Sequence, residues 1–284
     1  MKILNIGGGG VFGIIPATLL EKHDVSKVDL FAGTSIGSIQ AIMHASGYTP
    51  KEILSFFQSS KLYKIFNRNI FRIFNPFNSK WSDKGLNSVL QEILPGDLSD
   101  CDKYVLCTAY YYPTKLTKVW HNMTDNTDLY TKLWKIARSS SAAPTFFPPY
   151  KGYIDGGWWA NDPSLVATAA AISSCKVSLK DIEICTLTCG AEEMEFTKPS
   201  AMKKWHLLNW VKPIIDGVTS SNEQATSYVT GLLPYKKKVY INPIVRKDGM
   251  KIDNTDDMLE AKFNLNRLPN LEQIHDKLSD FLNG

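Results

Sequence analysis

Apolar residues come first: residues 2–6, "KILNI", fit a strand buried on both faces, and four glycines follow at once. Residues 14–22 predict a helix. Residues 27–32, "KVDLFA", predict a second strand, and a helix follows from Ile36 to about Ser46, closed by Gly47 and Pro50. Further along, 103–112 and 115–121 predict two strands around the turn Pro113-Thr114. Residues 131–141 predict a helix ending at Ala143-Pro144, and 182–189, "IEICTLTC", another buried strand. Strand and helix alternate from the first residue, which predicts an α/β fold on a mainly parallel sheet. From about residue 195 the composition shifts to Trp, Lys and Pro, and no βα rhythm is legible. No internal repeat or low-complexity tract interrupts the chain.

Composition narrows the class. A chain of 284 residues with 44% apolar and 21% charged residues has ample material for one globular domain, expected here to be residues 1–284. The net charge of +4 is too small to argue for nucleic acid. No stretch approaches the ~18 apolar residues of a membrane span, and Met1-Lys2 leads into too short an apolar run for a secretion leader. The five cysteines are odd in number and sit mostly in apolar runs, as reduced core thiols of a cytoplasmic protein do. Cys185 and Cys189 have no matching second pair of ligands, so neither a metal nor any other cofactor is expected.

The glycine run carries the first candidate chemistry. Gly8, Gly10 and Gly13 satisfy G-x-G-x-x-G after a strand. A dinucleotide site also needs an acid closing the second strand, and Asp29 instead opens it. A phosphate loop needs Lys and then Ser or Thr after the last glycine, where Ile14 and Ile15 stand. A plain strand-to-helix turn needs fewer glycines. Their free N–H groups at a helix N-terminus would attract negative charge of some kind.

The second strand supplies a partner. It ends in "AGTSIGS", where Gly33, Ser35 and Gly37 form G-x-S-x-G between a strand and a helix. That turn exposes the serine in a strained conformation and leaves no room for side chains on the flanking glycines. The helix behind Ser35 would favour an alkoxide. The alternative is a serine that only caps a helix. Adjacent parallel strands would place the glycine amides opposite Ser35, as an oxyanion hole requires.

A serine nucleophile needs a base. Of the five histidines, His44 lies inside the helix after Ser35, His23 follows the first helix, and His121 ends a strand. His206 and His275 belong to the C-terminal part, in no recognisable strand-end loop. The better candidate is Asp155 in "YIDGGWWANDPS", a strand-end aspartate before two glycines, with a plain Asp-Gly turn as the alternative.

Together, "GIIPATLLE", "GTSIGS", "ARSSSAAPTFFPPY" (137–150) and "DGGWWANDPS" (155–164) resemble the patatin-like phospholipases, in order and spacing, over residues 1 to about 190. A weaker similarity in "YINPIV" and "KIDNTDDMLEAKFNLNRL" extends it, with residues 195–284 completing the domain. The resemblance implies a three-layer α/β/α sandwich and a Ser–Asp dyad that works without histidine or metal. Carried over, Ser35 is the nucleophile, Asp155 the base, Gly33 and Gly37 the elbow, and Gly8, Gly9 and Gly10 the oxyanion donors. The family's basic residue after the glycine run is Phe12 here, which argues for apolar or single-chain lipids over charged head groups. The family's aspartate before the glycines is Gly7.

Residues 53–81 interleave aromatic and basic side chains and are expected to form a lid or membrane-facing insertion. Arg68, Phe71, Arg72 and Phe74, together with Phe12, are the candidate lipid contacts. A helical cover packed on the sheet explains the same pattern. The expected protein is a cytoplasmic serine lipid acyl hydrolase, peripherally attached to a membrane when active. Its substrate is an ester lipid, it takes no nucleic acid, and its oligomeric state is open. A Ser-His-Asp esterase using His206 or His275 and a non-catalytic nucleotide- or lipid-binding protein remain as alternatives.

Overall fold

The computed structural model describes residues 1–66, 78–125, 127–193, 202, 207–247 and 249–284, with backbone only at 207–209, 211, 212 and 215. The strands are β1 (Lys2–Ile6), β2 (Leu30–Thr34), β3 (Tyr104–Tyr111), β4 (Leu116–His121), β5 (Tyr153–Asp155), β6 (Glu183–Leu187), β7 (Ala191–Glu192), β8 (Lys237–Ile241) and β9 (Ile244–Arg246). The helices are α1 (Ile14–Leu20), α2 (Ile36–Ala45), α3 (Pro50–Gln58), α4 (Ser60–Ile65), α5 (Asp83–Ile93), α6 (Leu133–Ser140), α7 (Ser164–Cys175), α8 (Leu207–Leu232), α9 (Thr255–Leu265) and α10 (Leu271–Asn283).

The main sheet runs β4-β3-β2-β1-β6-β8, with β5 also on β3. β3, β2, β1, β6 and β8 are parallel, and β4 and β5 pair with β3 antiparallel. Alternate strand residues point to opposite faces, and each face has its own core. Leu4, Phe31, Val105 and Cys185 join the core under α1–α6, α9 and α10. Ile3, Leu30, Leu106 and Ile184 join a second core with Ala167 and Ala171 of α7. The result is the three-layer α/β/α sandwich with a mostly parallel sheet. Among the described residues no helix is long and apolar enough to cross a membrane.

One register places the site. β2 occupies β3 from Tyr104 to Thr108, and β4 covers the other edge of β3. β5 therefore lies beyond β2 on the same edge, antiparallel, with Asp155 opposite Ala109. The C-terminal ends of β2 and β5 meet head to head, so Ser35 and Asp155 become neighbours across 120 residues of chain.

One strand boundary departs from the sequence reading. β2 begins at Leu30 instead of Lys27, because the Asp29 carboxylate accepts the Lys2 N–H at 2.7 Å and closes the end of the sheet first. The described part of 53–81 is a helical cover: Ile53, Leu54, Phe56, Phe57, Leu62 and Ile65 are buried in the larger core. Arg68, Phe71, Arg72 and Phe74 lie outside the described residues. Among the described residues beyond 195, three helices and two strands complete the fold. α8 was illegible because its amphipathicity is inverted. Tyr228 and Leu232 are 71% and 70% exposed, while Asn222, Glu223 and Thr230 turn toward the protein.

Candidate active site

Ser35 sits between β2 and α2 at φ 57°, ψ −125°, a conformation L-residues rarely adopt. The surroundings hold it there. Its N–H donates to Ser140 Oγ at 2.9 Å, and its carbonyl accepts from the Ser38 N–H and hydroxyl at 2.9 and 2.7 Å. The glycines at the elbow are required by close approach. A Cβ on Gly33 would overlap the Gly37 carbonyl, and one on Gly37 would overlap the Ile6 carbonyl.

The Ser35 hydroxyl donates to Asp155 Oδ2 at 2.6 Å. The other carboxylate oxygen accepts the Gly157 N–H at 2.7 Å, which fixes the rotamer. Asp155 is 6% exposed, and burial pushes its pKa up to about 6 against the pull of the Ser35 and Gly157 hydrogen bonds. A carboxylate with that pKa is a usable base near neutral pH.

The glycine run lies alongside. A Cβ on Gly8 would stand 3.2 Å from Ser35 Cβ. The Gly8 amide departs from the expected role, because it donates to the Asn161 carbonyl at 3.2 Å. The amides of Gly9 and Gly10 donate to nothing among the described residues and stand at the start of a short 3-10 turn, Gly10–Gly13. Gly10 has φ +59°, and its α-carbon packs on the Ile252 carbonyl, which also accepts the Val11 N–H at 2.8 Å.

Phe12 does not face lipid. It is fully buried, with the Arg246 guanidinium 5.0 Å from its ring centroid. The helix following the glycine run turns that position into the core, so this expected contact is withdrawn. His275 is not a triad member either: it pairs with His23 at 2.9 Å, and the partners of Asp155 are Ser35 and Gly157. His44 is buried and stacks on Phe31. His206 lies outside the described residues. Cys189 is a buried thiol that donates to the Gly7 carbonyl at 3.4 Å.

Four site residues had no assigned role in the sequence. Ser140 and Asn161 sit inside "ARSSSAAP" and "DGGWWANDPS" without a pattern that singles them out. Asn222 and Glu223 lie on α8, which the sequence did not reveal. Asn222 donates to the Gly157 carbonyl at 3.1 Å and accepts the Asn161 N–H at 3.0 Å. Glu223 accepts Asn161 Nδ2 at 3.0 Å. One helix thus grips both the loop that carries the base and the residue that holds the glycine run.

Comparison with known proteins agrees with this frame. Residues 4–168, more than half of the chain, match the Patatin-like phospholipase family. The chain belongs to that family. It is 28% identical to Patatin-like protein 4 of Arabidopsis thaliana, a match covering 99% of this chain and 83% of that protein. It is 29% identical to CotR of Bacillus subtilis, over 66% of this chain and 62% of CotR. Other relatives carry names that mark them as inactive patatins. Among solved structures, VipD from Legionella pneumophila shares the fold with a TM-score of 0.53 at 12% identity, covering 99% of this chain and 66% of VipD.

Proposed function

We propose that this protein is a serine lipid acyl hydrolase in which Ser35 is the nucleophile and Asp155 the general base. One observation carries the reading: a strained, half-buried serine donates at 2.6 Å to a buried carboxylate whose pKa stands near 6. Family membership supports lipid hydrolysis in general terms. Because some relatives are named inactive, the intact serine–aspartate contact matters more than the family match.

In the proposed acylation, Asp155 takes the Ser35 proton as Oγ attacks the ester carbonyl. The tetrahedral oxyanion is held by the free Gly9 and Gly10 amides, aided by the N-terminus of α2. Asp155 then protonates the leaving alcohol, and water hydrolyses the acyl-enzyme with Asp155 again as base. The substrate is an ester lipid met at a membrane surface.

The test is covalent labelling with a long-chain fluorophosphonate, read by intact mass and peptide mapping. The expected result is one adduct on Ser35, absent in Ser35→Ala and slowed about a hundredfold or more in Asp155→Asn. No adduct on wild type, with detergent or lipid present, overturns the hydrolase reading.

A further inference from the structure

Asn161 offers the site an oxygen that nothing uses. Its Nδ2 donates to Glu223 Oε2 at 3.0 Å. A carboxylate only accepts, so this contact decides which way the amide faces. Nδ2 turns to Glu223, and Oδ1 turns into the gap between the glycine run and the loop after β5. There it accepts nothing among the described residues. A Cβ on Gly8 would overlap this oxygen while standing 3.2 Å from Ser35 Cβ. A Cβ on Gly157 would lie 3.0 Å from it and 3.1 Å from Asp155 Oδ1. The free acceptor therefore borders both members of the serine–aspartate pair.

Deacylation is the step that needs such an acceptor. Once Ser35 is acylated its Oγ carries no proton, and Asp155 Oδ2 loses its donor. The incoming water has two hydrogens and must present a lone pair to the acyl carbon. A single base fixes one hydrogen and leaves the molecule free to swing about it. A second acceptor on the other side of the gap removes that freedom.

We propose that Asn161 is a catalytic residue of deacylation, its Oδ1 holding the attacking water against Asp155. The proposal rests on the serine hydrolase reading above. The water oxygen bonds to the acyl carbon, and one of its protons passes to Asp155. As the carbon–Oγ bond breaks, that proton moves from Asp155 to Ser35 Oγ. The other hydrogen stays on the new carboxylic acid, which then ionises to solvent. Glu223 is a positioning residue, acting through the orientation of the Asn161 amide.

The experiment is pre-steady-state hydrolysis of a soluble short-chain nitrophenyl ester by wild type, Asn161→Ala and Glu223→Gln, with intact-mass analysis of quenched samples. The main-chain bonds of Asn161 to Gly8 and Asn222 do not involve its side chain, so both variants keep the loop tied. Asn161→Ala should label with fluorophosphonate and release its first equivalent of nitrophenol within about twofold of wild type. Steady-state turnover should fall about tenfold or more, with acyl-enzyme accumulating. Hydroxylamine, a nucleophile that needs less help from a base, should restore turnover. Glu223→Gln, whose amide can face Asn161 either way, should show the same defect more weakly. If burst and steady state fall together, or if no acyl-enzyme accumulates in Asn161→Ala, the assignment to deacylation is wrong while the hydrolase reading stands. No acylation of wild type overturns both.

Discussion

At the scale of single residues, Asp155 shows how one environment serves catalysis and works against stability. Burial raises its pKa to about 6. The base must be ionised, so activity should rise with pH through an acid limb near pH 6; a kcat/KM profile on a soluble ester checks this. A limb near the ordinary carboxylate value, about 4, would mean that Asp155 is not the base. The sign for folding is opposite. A carboxyl whose folded pKa is raised disfavours the native state above that pKa, by ~2–3 kcal/mol for a two-unit shift, and not at all below the unfolded value. Asp155→Asn keeps the Gly157 contact and removes the buried charge. It should abolish turnover yet raise the melting temperature at about pH 8, with the gain vanishing near pH 4. The glycines divide in the same spirit. A Cβ on Gly37 meets the backbone of β1, which cannot give, so Gly37→Ala should cost several kcal/mol in a denaturant melt, at least ~2. A Cβ on Gly8 meets the movable Asn161 side chain, so Gly8→Ala should fold and lose activity instead.

At the scale of elements, the N-terminal half could be read because local pattern and tertiary role agree there. β1, α2, β3 and β4 fall within a residue or two of expectation, since both-face burial makes parallel strands continuous apolar runs. The elbow was legible because its glycines answer to backbone contacts two strands wide. Gly8 and Phe12 were misassigned because a motif gives positions and not directions: one amide turned to Asn161, and one ring turned into the core. α8 was invisible for a related reason. Over residues 216–232 its inward face is polar, because Asn222 and Glu223 hydrogen-bond the loop after β5, and periodicity arguments look for an apolar inward face. That task defines a prediction. Asn222→Ala removes a donor from the Gly157 carbonyl and an acceptor from the Asn161 N–H. It should cost ~1–2 kcal/mol in a thermal melt. Because the loop that follows Asp155 loses both ties, acylation and deacylation should slow together, unlike in Asn161→Ala, where only deacylation should slow. Stopped-flow burst kinetics separate the two outcomes.

At the scale of the whole molecule, the family match ends at residue 168, but the folding unit extends well beyond it. β6 is a fully buried strand whose outer edge is covered by β8 through the register Glu183 to Leu187 against Lys237 to Ile241. Met258, Leu265, Leu278 and Phe281 fill the larger core at 1% exposure or less. The Ile252 carbonyl clamps Gly10 and Val11, and the next residue, Asp253, is buried under the Trp81 indole N–H at 2.7 Å and the Lys80 ammonium at 2.6 Å. The C-terminal third therefore seals the sheet, supplies core and fixes the glycine run. Four large apolar side chains at ~1.5–3 kcal/mol each amount to as much free energy as a typical domain has to spare. The chain truncated after Glu193 should consequently fail to fold, giving aggregates or no cooperative melt and no Ser35 adduct with a fluorophosphonate. A cooperative transition together with labelling would show instead that residues 1–193 form the catalytic unit and that the remainder only covers it.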